Sequence, residues 1–151
     1  MDQMQERVLA QLDRDELVGM VRDLVSIPSP TGSEAEVADY LAGRFSELDL
    51  RVQMQEGETG RSNVIGTWKG GDGDMSLMFL GHMDYAPGIG KPEAQTVDGN
   101  WIAGIGASNM KSAFACYHQA TKMLMRAGFE PRGDVFLAAV VGEIERAPIG
   151  E

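Results

Sequence analysis

The sequence predicts an α/β fold built on a mixed sheet covered by helices on both faces, and three observations predict it. Apolar residues recur at helical spacing through the first third of the chain. Two short, nearly continuous apolar runs, Leu77 to Leu80 and Asp134 to Val141, read as buried strands. Helical and strand patterns follow the order α, α, β, β, β, long loop, α, β, and such alternation makes a layered sandwich.

The first helix starts at Asp15. Leu17, Met20, Val21, Leu24 and Val25 stand at i, i+3, i+4, i+7 and i+8 on one face. Pro28 and Pro30 end it, since proline lacks the amide donor and biases the preceding residue away from helix. A second helix is expected from Ser33, which with Glu36 matches a capping box. Its buried face is Val37, Tyr40, Leu41 and Leu48, and residues 26–33 form a proline-stiffened connector.

Leu50 to Met54 alternates weakly and Asn63 to Lys69 alternates better, so both read as strands. Gly70, Gly71 and Gly73 mark a turn before Leu77 to Leu80, which reads as a fully buried central strand. Residues 85–106 read as loop. A long helix is expected from near Ala107 to about Ala127, stopped by Gly128.

Composition narrows the function classes. A net charge of −10 over 151 residues lacks the basic face of a nucleic-acid binder and does not suit an anionic membrane. One cysteine, Cys116, allows no internal disulfide, and the polar start from Met1 to Arg14 has no signal-peptide core. A cytoplasmic location is the expectation. Cys116 sits among small apolar residues and reads as a buried, inert thiol. The methionines read as packing filler, and His118 as structural.

Two clusters can carry chemistry. The apolar run Leu77 to Leu80 ends in Gly81-His82-Met83-Asp84, at the strand end where α/β sheets gather ligands. On extended backbone Asp84 lies on the same side as His82, and a carboxylate there orients a metal-binding imidazole. The bland alternative is a histidine that caps backbone. The second cluster, Glu143 and Glu145, follows the other apolar run and could bind a metal or take a proton from water. Its alternative is an exposed acidic loop. Between them, Gly104-Ile105-Gly106-Ala107-Ser108-Asn109-Met110-Lys111 enters the long helix, with glycines that let backbone approach a ligand.

Five segments occur in order: Leu24 to Glu34, Ser62 to Gly66, Gly81 to Asp84, Gly104 to Ser112, and the strand into Gly142-Glu143. Together they resemble the family of aminoacylase, acetylornithine deacetylase, succinyl-diaminopimelate desuccinylase and glutamate carboxypeptidase. The resemblance implies the N-terminal part of a zinc-peptidase-like catalytic domain. It implies two zinc ions bridged by an aspartate and a water, with His82 on one ion, Asp84 orienting His82, and Glu143 as general base.

Two positions depart from that pattern. Asn109 stands where the family has the bridging aspartate, and Ile144 where it has a second, metal-binding glutamate. Asparagine offers a neutral oxygen and isoleucine no ligand. The expectation is therefore one divalent ion per site, zinc before manganese or cobalt, held by His82, Asn109 and ligands from elsewhere. Glu145 shares a face with Glu143 on extended backbone and is a candidate replacement ligand.

The resemblance further implies an Asp and a His ligand and a lid and dimerisation domain beyond residue 151. The expected partners are a small-molecule substrate, a complementary chain or C-terminal segment, and a second copy in a homo-oligomer, with neither nucleic acid nor membrane. The leading reading is a hydrolase that cleaves the amide of an N-acyl amino acid or small peptide. A single-metal hydrolytic deaminase acting on an amine-bearing aromatic is the alternative within enzymes. A non-catalytic binding or scaffold relative with a degraded metal site is the alternative outside them.

Overall fold

Helix α2, Arg14–Ser26, forms where the apolar spacing predicts it and buries Met20, Val21, Leu24 and Val25. The Asp13 carboxylate accepts from the Glu16 amide and caps its start. A short polar helix, α1 (Gln3–Leu9), precedes it, closed by a capping box between Asp2 and Gln5 that has no apolar stripe to announce it. In this computed structural model the described residues are 2–73, 75–86, 95–97, 99 and 101–144.

Helix α3, Ala35–Ser46, begins one turn-position later than the capping box implies. Glu34 occupies the N-cap without a side-chain cap bond, because its carboxylate is fully buried against Arg61 and the Gly32 amide. That ion pair removes the need for the Ser33–Glu36 box. Val37, Ala38, Leu41 and Phe45 form the buried face of α3.

Four strands make the main sheet: β1 (Arg51–Glu58), β2 (Arg61–Trp68), β3 (Leu77–His82) and, last in the chain, β6 (Val135–Val140), in the order β1-β2-β6-β3. β2 is antiparallel to β1 and β6, and β3 is parallel to β6, so the sheet is mixed as expected. A two-stranded ribbon, β4 (Gln95–Val97) with β5 (Trp101–Ala103), lies in the stretch expected to be loop. Helix α4, Ser112–Arg126, supplies the crossover that a parallel β3–β6 pair needs, and Gly128 at φ 75° follows its end.

The helices α2, α3 and α4 pack on one face of the sheet. A Cβ at Gly66 of β2 would meet Phe45 of α3 at 2.9 Å, and one at Gly81 of β3 would meet Phe114 of α4 at 3.1 Å. Leu24, Val25, Leu41, Phe45, Val64, Phe114, Leu137 and Ala139 fill this layer. Each large apolar side chain so buried contributes roughly 1.5–3 kcal/mol.

The opposite face carries Met78 and Leu80, each more than half exposed. β3 is thus an edge strand of the described sheet, and the expectation of a fully buried central strand is not met. An apolar run records what a strand tends to bury, not whether the described residues supply the cover. Cys116 is also corrected: it is exposed on α4, on the outer face it shares with the exposed Ala120 four residues on, whereas Ala115 faces the core. No helix among the described residues is long and apolar enough to cross a membrane.

Candidate metal centre

The parallel pairing of β3 with β6 brings the two chemical clusters together. His82 ends β3 and pairs in register with Val140 at the end of β6. The residues that follow both strands therefore emerge side by side at the C-terminal edge of the sheet, where α/β proteins bind ligands. Asn109 enters from a wide helical turn, Ala107–Lys111, that precedes α4. Gly106, at φ 72°, opens this turn in a left-handed conformation that suits glycine. Asn109 has extended backbone inside it, and the Asn109–Met110 peptide is cis.

The His82 ring is held from one side and open on the other. Its Nδ1 lies 3.0 Å from the Asp84 carbonyl oxygen and 3.3 Å from Asp84 Oδ1. A carbonyl oxygen only accepts, so Nδ1 carries a proton and donates, and in the neutral ring Nε2 is then the acceptor atom. Nε2 stands 3.1 Å from Asn109 Oδ1 and 3.7 Å from Glu143 Oε2. Asn109 Oδ1 and Glu143 Oε2 thus both lie on the Nε2 side of the ring.

The spacing of this pair can be compared with that of zinc ligands. Tetrahedral zinc bonds of about 2.0–2.2 Å would put adjacent nitrogen and oxygen ligands roughly 3.3–3.6 Å apart, and the Nε2–Oδ1 separation of 3.1 Å is slightly shorter. Among the described residues no group of three or more His, Cys, Asp or Glu side chains is placed to hold a metal. Of the expected ligands, His82 and Asn109 are the ones that come together among the described residues. Ile144 gives only its backbone amide, to Asp84 Oδ2 at 3.0 Å. Glu145, the candidate replacement ligand, lies outside the described residues.

Asp84 is fully buried and is the hub of the site. Besides the His82 contact, its carboxylate accepts from the amides of Glu143 (3.2 Å) and Ile144 (3.0 Å) and from the Thr31 hydroxyl (2.6 Å). These charge-assisted bonds fix the turn that carries Glu143 relative to the imidazole. The Glu143 side chain is 56% exposed, so it can exchange protons with solvent.

Sequence reasoning did not find the partners from the proline-rich connector. Pro30 bridges Tyr85 in parallel, the Thr31 amide donates to the Tyr85 carbonyl, and the Ser29 hydroxyl donates to the Met83 carbonyl at 2.7 Å. The local signal was a small hydroxyl residue after each of two prolines, Ser29 after Pro28 and Thr31 after Pro30. Lys111 was also missed. Its fully buried ammonium donates to the Leu24 and Ile27 carbonyls at the end of α2, and burial lowers its pKa to about 8.

No family model matches the chain. It is 31% identical over 142 residues to the N-formyl-4-amino-5-aminomethyl-2-methylpyrimidine deformylase of Bacillus subtilis, covering 86% of this chain and 33% of that protein. It is 31% identical over 135 residues to the succinyl-diaminopimelate desuccinylase of Dinoroseobacter shibae, covering 85% of this chain and 35% of that one. The structure of aminopeptidase PepT from Bacillus cereus superimposes with a TM-score of 0.76 at 26% identity, over 88% of this chain and 38% of the other. The chain spans about a third of the length of the curated relatives it matches. On these likenesses, the homologues of this chain are peptidases and deacylases of one family, acetylornithine deacetylase and succinyl-diaminopimelate desuccinylase among them.

Proposed function

We propose that this chain is the N-terminal part of the catalytic domain of a metal-dependent hydrolase that cleaves an N-acyl bond on a small amine or amino acid. The observation that carries the reading is the approach of Asn109 Oδ1, at 3.1 Å, and Glu143 Oε2, at 3.7 Å, to His82 Nε2. The similar deformylase and desuccinylase both take an acyl group from nitrogen, and that shared bond supports the substrate class.

His82 and Asn109 would hold one divalent ion, with zinc favoured by the imidazole. Bound there, the ion would polarise the acyl carbonyl and bring the pKa of a coordinated water toward 7. Glu143 accepts the proton of the attacking water and returns it to the departing nitrogen. Asp84 keeps the His82 proton on Nδ1 and so keeps the Nε2 lone pair turned toward the ion. The exposed apolar side chains of β3 and the open coordination positions support a further segment, or a second chain, that completes both sheet and ligand set.

Metal analysis of the whole protein, with hydrolysis assays on N-formyl, N-acetyl and N-succinyl amines, tests this. The expected result is at most one tightly held ion per site and loss of hydrolysis on chelation. Full activity in a chelator-treated His82→Ala variant would overturn it.

A further inference from the structure

We infer that Thr31 is a positioning residue for the His82–Glu143 pair, acting through Asp84; this rests on the hydrolase reading of the same site. Asp84 has no solvent contact, so protein donors alone fix the rotation of its carboxylate. Oδ1 faces the His82 ring and the Glu143 amide, and Oδ2 takes the Ile144 amide and the Thr31 hydroxyl. Among the described residues, Thr31 and His82 are the side chains that reach this carboxylate, and the Thr31 contact of 2.6 Å is the shortest of the four.

The connector is built to put that hydroxyl in place. Residues 29–31 run parallel to 83–85: the Tyr85 amide donates to the Ser29 carbonyl at 3.1 Å, and the Thr31 amide donates to the Tyr85 carbonyl at 3.2 Å. Ser29, fully buried, adds a side-chain bond to the Met83 carbonyl. Pro28 and Pro30 limit the backbone on either side. Behind Thr31, the Gly32 amide donates to Glu34, which Arg61 clamps through Nε and a terminal nitrogen at 2.9 and 2.7 Å. Thr31 is thus held by backbone on both sides while its hydroxyl reaches the hub.

The hydroxyl sets one angle, the tilt of the Asp84 carboxylate, on which two functional groups depend. Without it, Oδ2 keeps only the Ile144 amide of these contacts, and the carboxylate can rotate away from either the imidazole or the Glu143 turn. Outer donors of this kind change metal affinity by about 10- to 100-fold. Thr31→Val removes the hydroxyl at nearly constant shape, and Thr31→Ser keeps it.

The test measures zinc affinity by chelator competition, kcat and KM, and the amide proton shifts of Glu143 and Ile144 in the whole protein. For Thr31→Val the expected result is about tenfold or more weaker zinc binding, a fall in kcat with KM little changed, and displaced Glu143 and Ile144 amide signals. Thr31→Ser should restore all three. Unchanged amide signals in Thr31→Val, or a Thr31→Ser protein as impaired as Thr31→Val, would overturn the inference. Displaced, serine-rescued amide signals in a protein whose zinc binding is indifferent to His82→Ala would uphold the positioning role while sinking the metal reading.

Discussion

The imidazole of His82 and the carboxamide of Asn109, separated by 27 positions in the chain, meet at 3.1 Å, Nε2 against Oδ1. In the neutral ring with its proton on Nδ1 toward Asp84, Nε2 and Oδ1 would both be acceptors, and a cation beside them would relieve that opposition. The meeting is produced by the end of β3 and by the Gly106 turn that lets residue 109 approach before α4 begins.

Replacing Asn109 by Asp puts a full negative charge where the structure has a dipole. Asn109→Asp should tighten zinc binding at least about tenfold, equivalent to about 1.4 kcal/mol. Chelator competition on the purified protein reads the change. An affinity that does not move would mean that residue 109 does not touch the ion.

Glu143 is the base in the proposed reaction. Its amide is tied to Asp84, and its exposed carboxylate stands 3.7 Å from His82 Nε2. Glu143→Gln keeps size and hydrogen bonding but removes the base. Hydrolysis should fall by about 10²–10⁴-fold, while zinc affinity changes less than about tenfold. A collapse of zinc affinity with the loss of activity would make Glu143 a ligand.

Helix α2 and the pairing of site clusters at strand ends were legible because periodicity and chain order encode them directly. Met20, Val21, Leu24 and Val25 are buried as their spacing requires. His82 with Asp84, and Glu143 across from them, follow from two strands ending at one sheet edge. The missed features depend on contacts distant in sequence. Ser33 looks like a cap until Arg61, which arrives from β2, takes Glu34. Thr31 carries no mark of its function until Tyr85 pairs with the connector. β3 reads as central because apolar content is local, whereas its place at the edge is a property of the sheet order.

The buried pair Arg61–Glu34 should be costly to break from one side. The Arg61 guanidinium bonds Glu34 through Nε and a terminal nitrogen and also reaches Glu58, and Glu34 has no exposed surface. Arg61→Met leaves the Glu34 carboxylate buried without its cation, at a cost of about 3–5 kcal/mol in denaturant unfolding. The double variant Arg61→Met, Glu34→Gln should recover most of that loss. If the single variant unfolds at the wild-type denaturant midpoint, the pair does not hold the connector.

His118 gives the stability a pH dependence. Burial is the main cause that lowers its pKa from 6.5 to about 4, with Arg44 next and Lys122 adding, while Glu16 and Glu47 oppose. The side chain is 1% exposed, and its Nε2 has no hydrogen-bond partner among the described residues. The folded state therefore keeps the ring neutral where the unfolded chain would protonate it. The unfolded state binds more protons between about pH 6.5 and 4, so this contribution is fully present above about pH 6.5. It is lost as pH falls through that window, by roughly 2 kcal/mol between pH 7 and 5. Urea unfolding at the two pH values should show this slope in the wild type and a reduced one in His118→Gln. Equal slopes in both proteins would mean that the ring titrates as it does in water, and that its burial on α4 does not oppose charging.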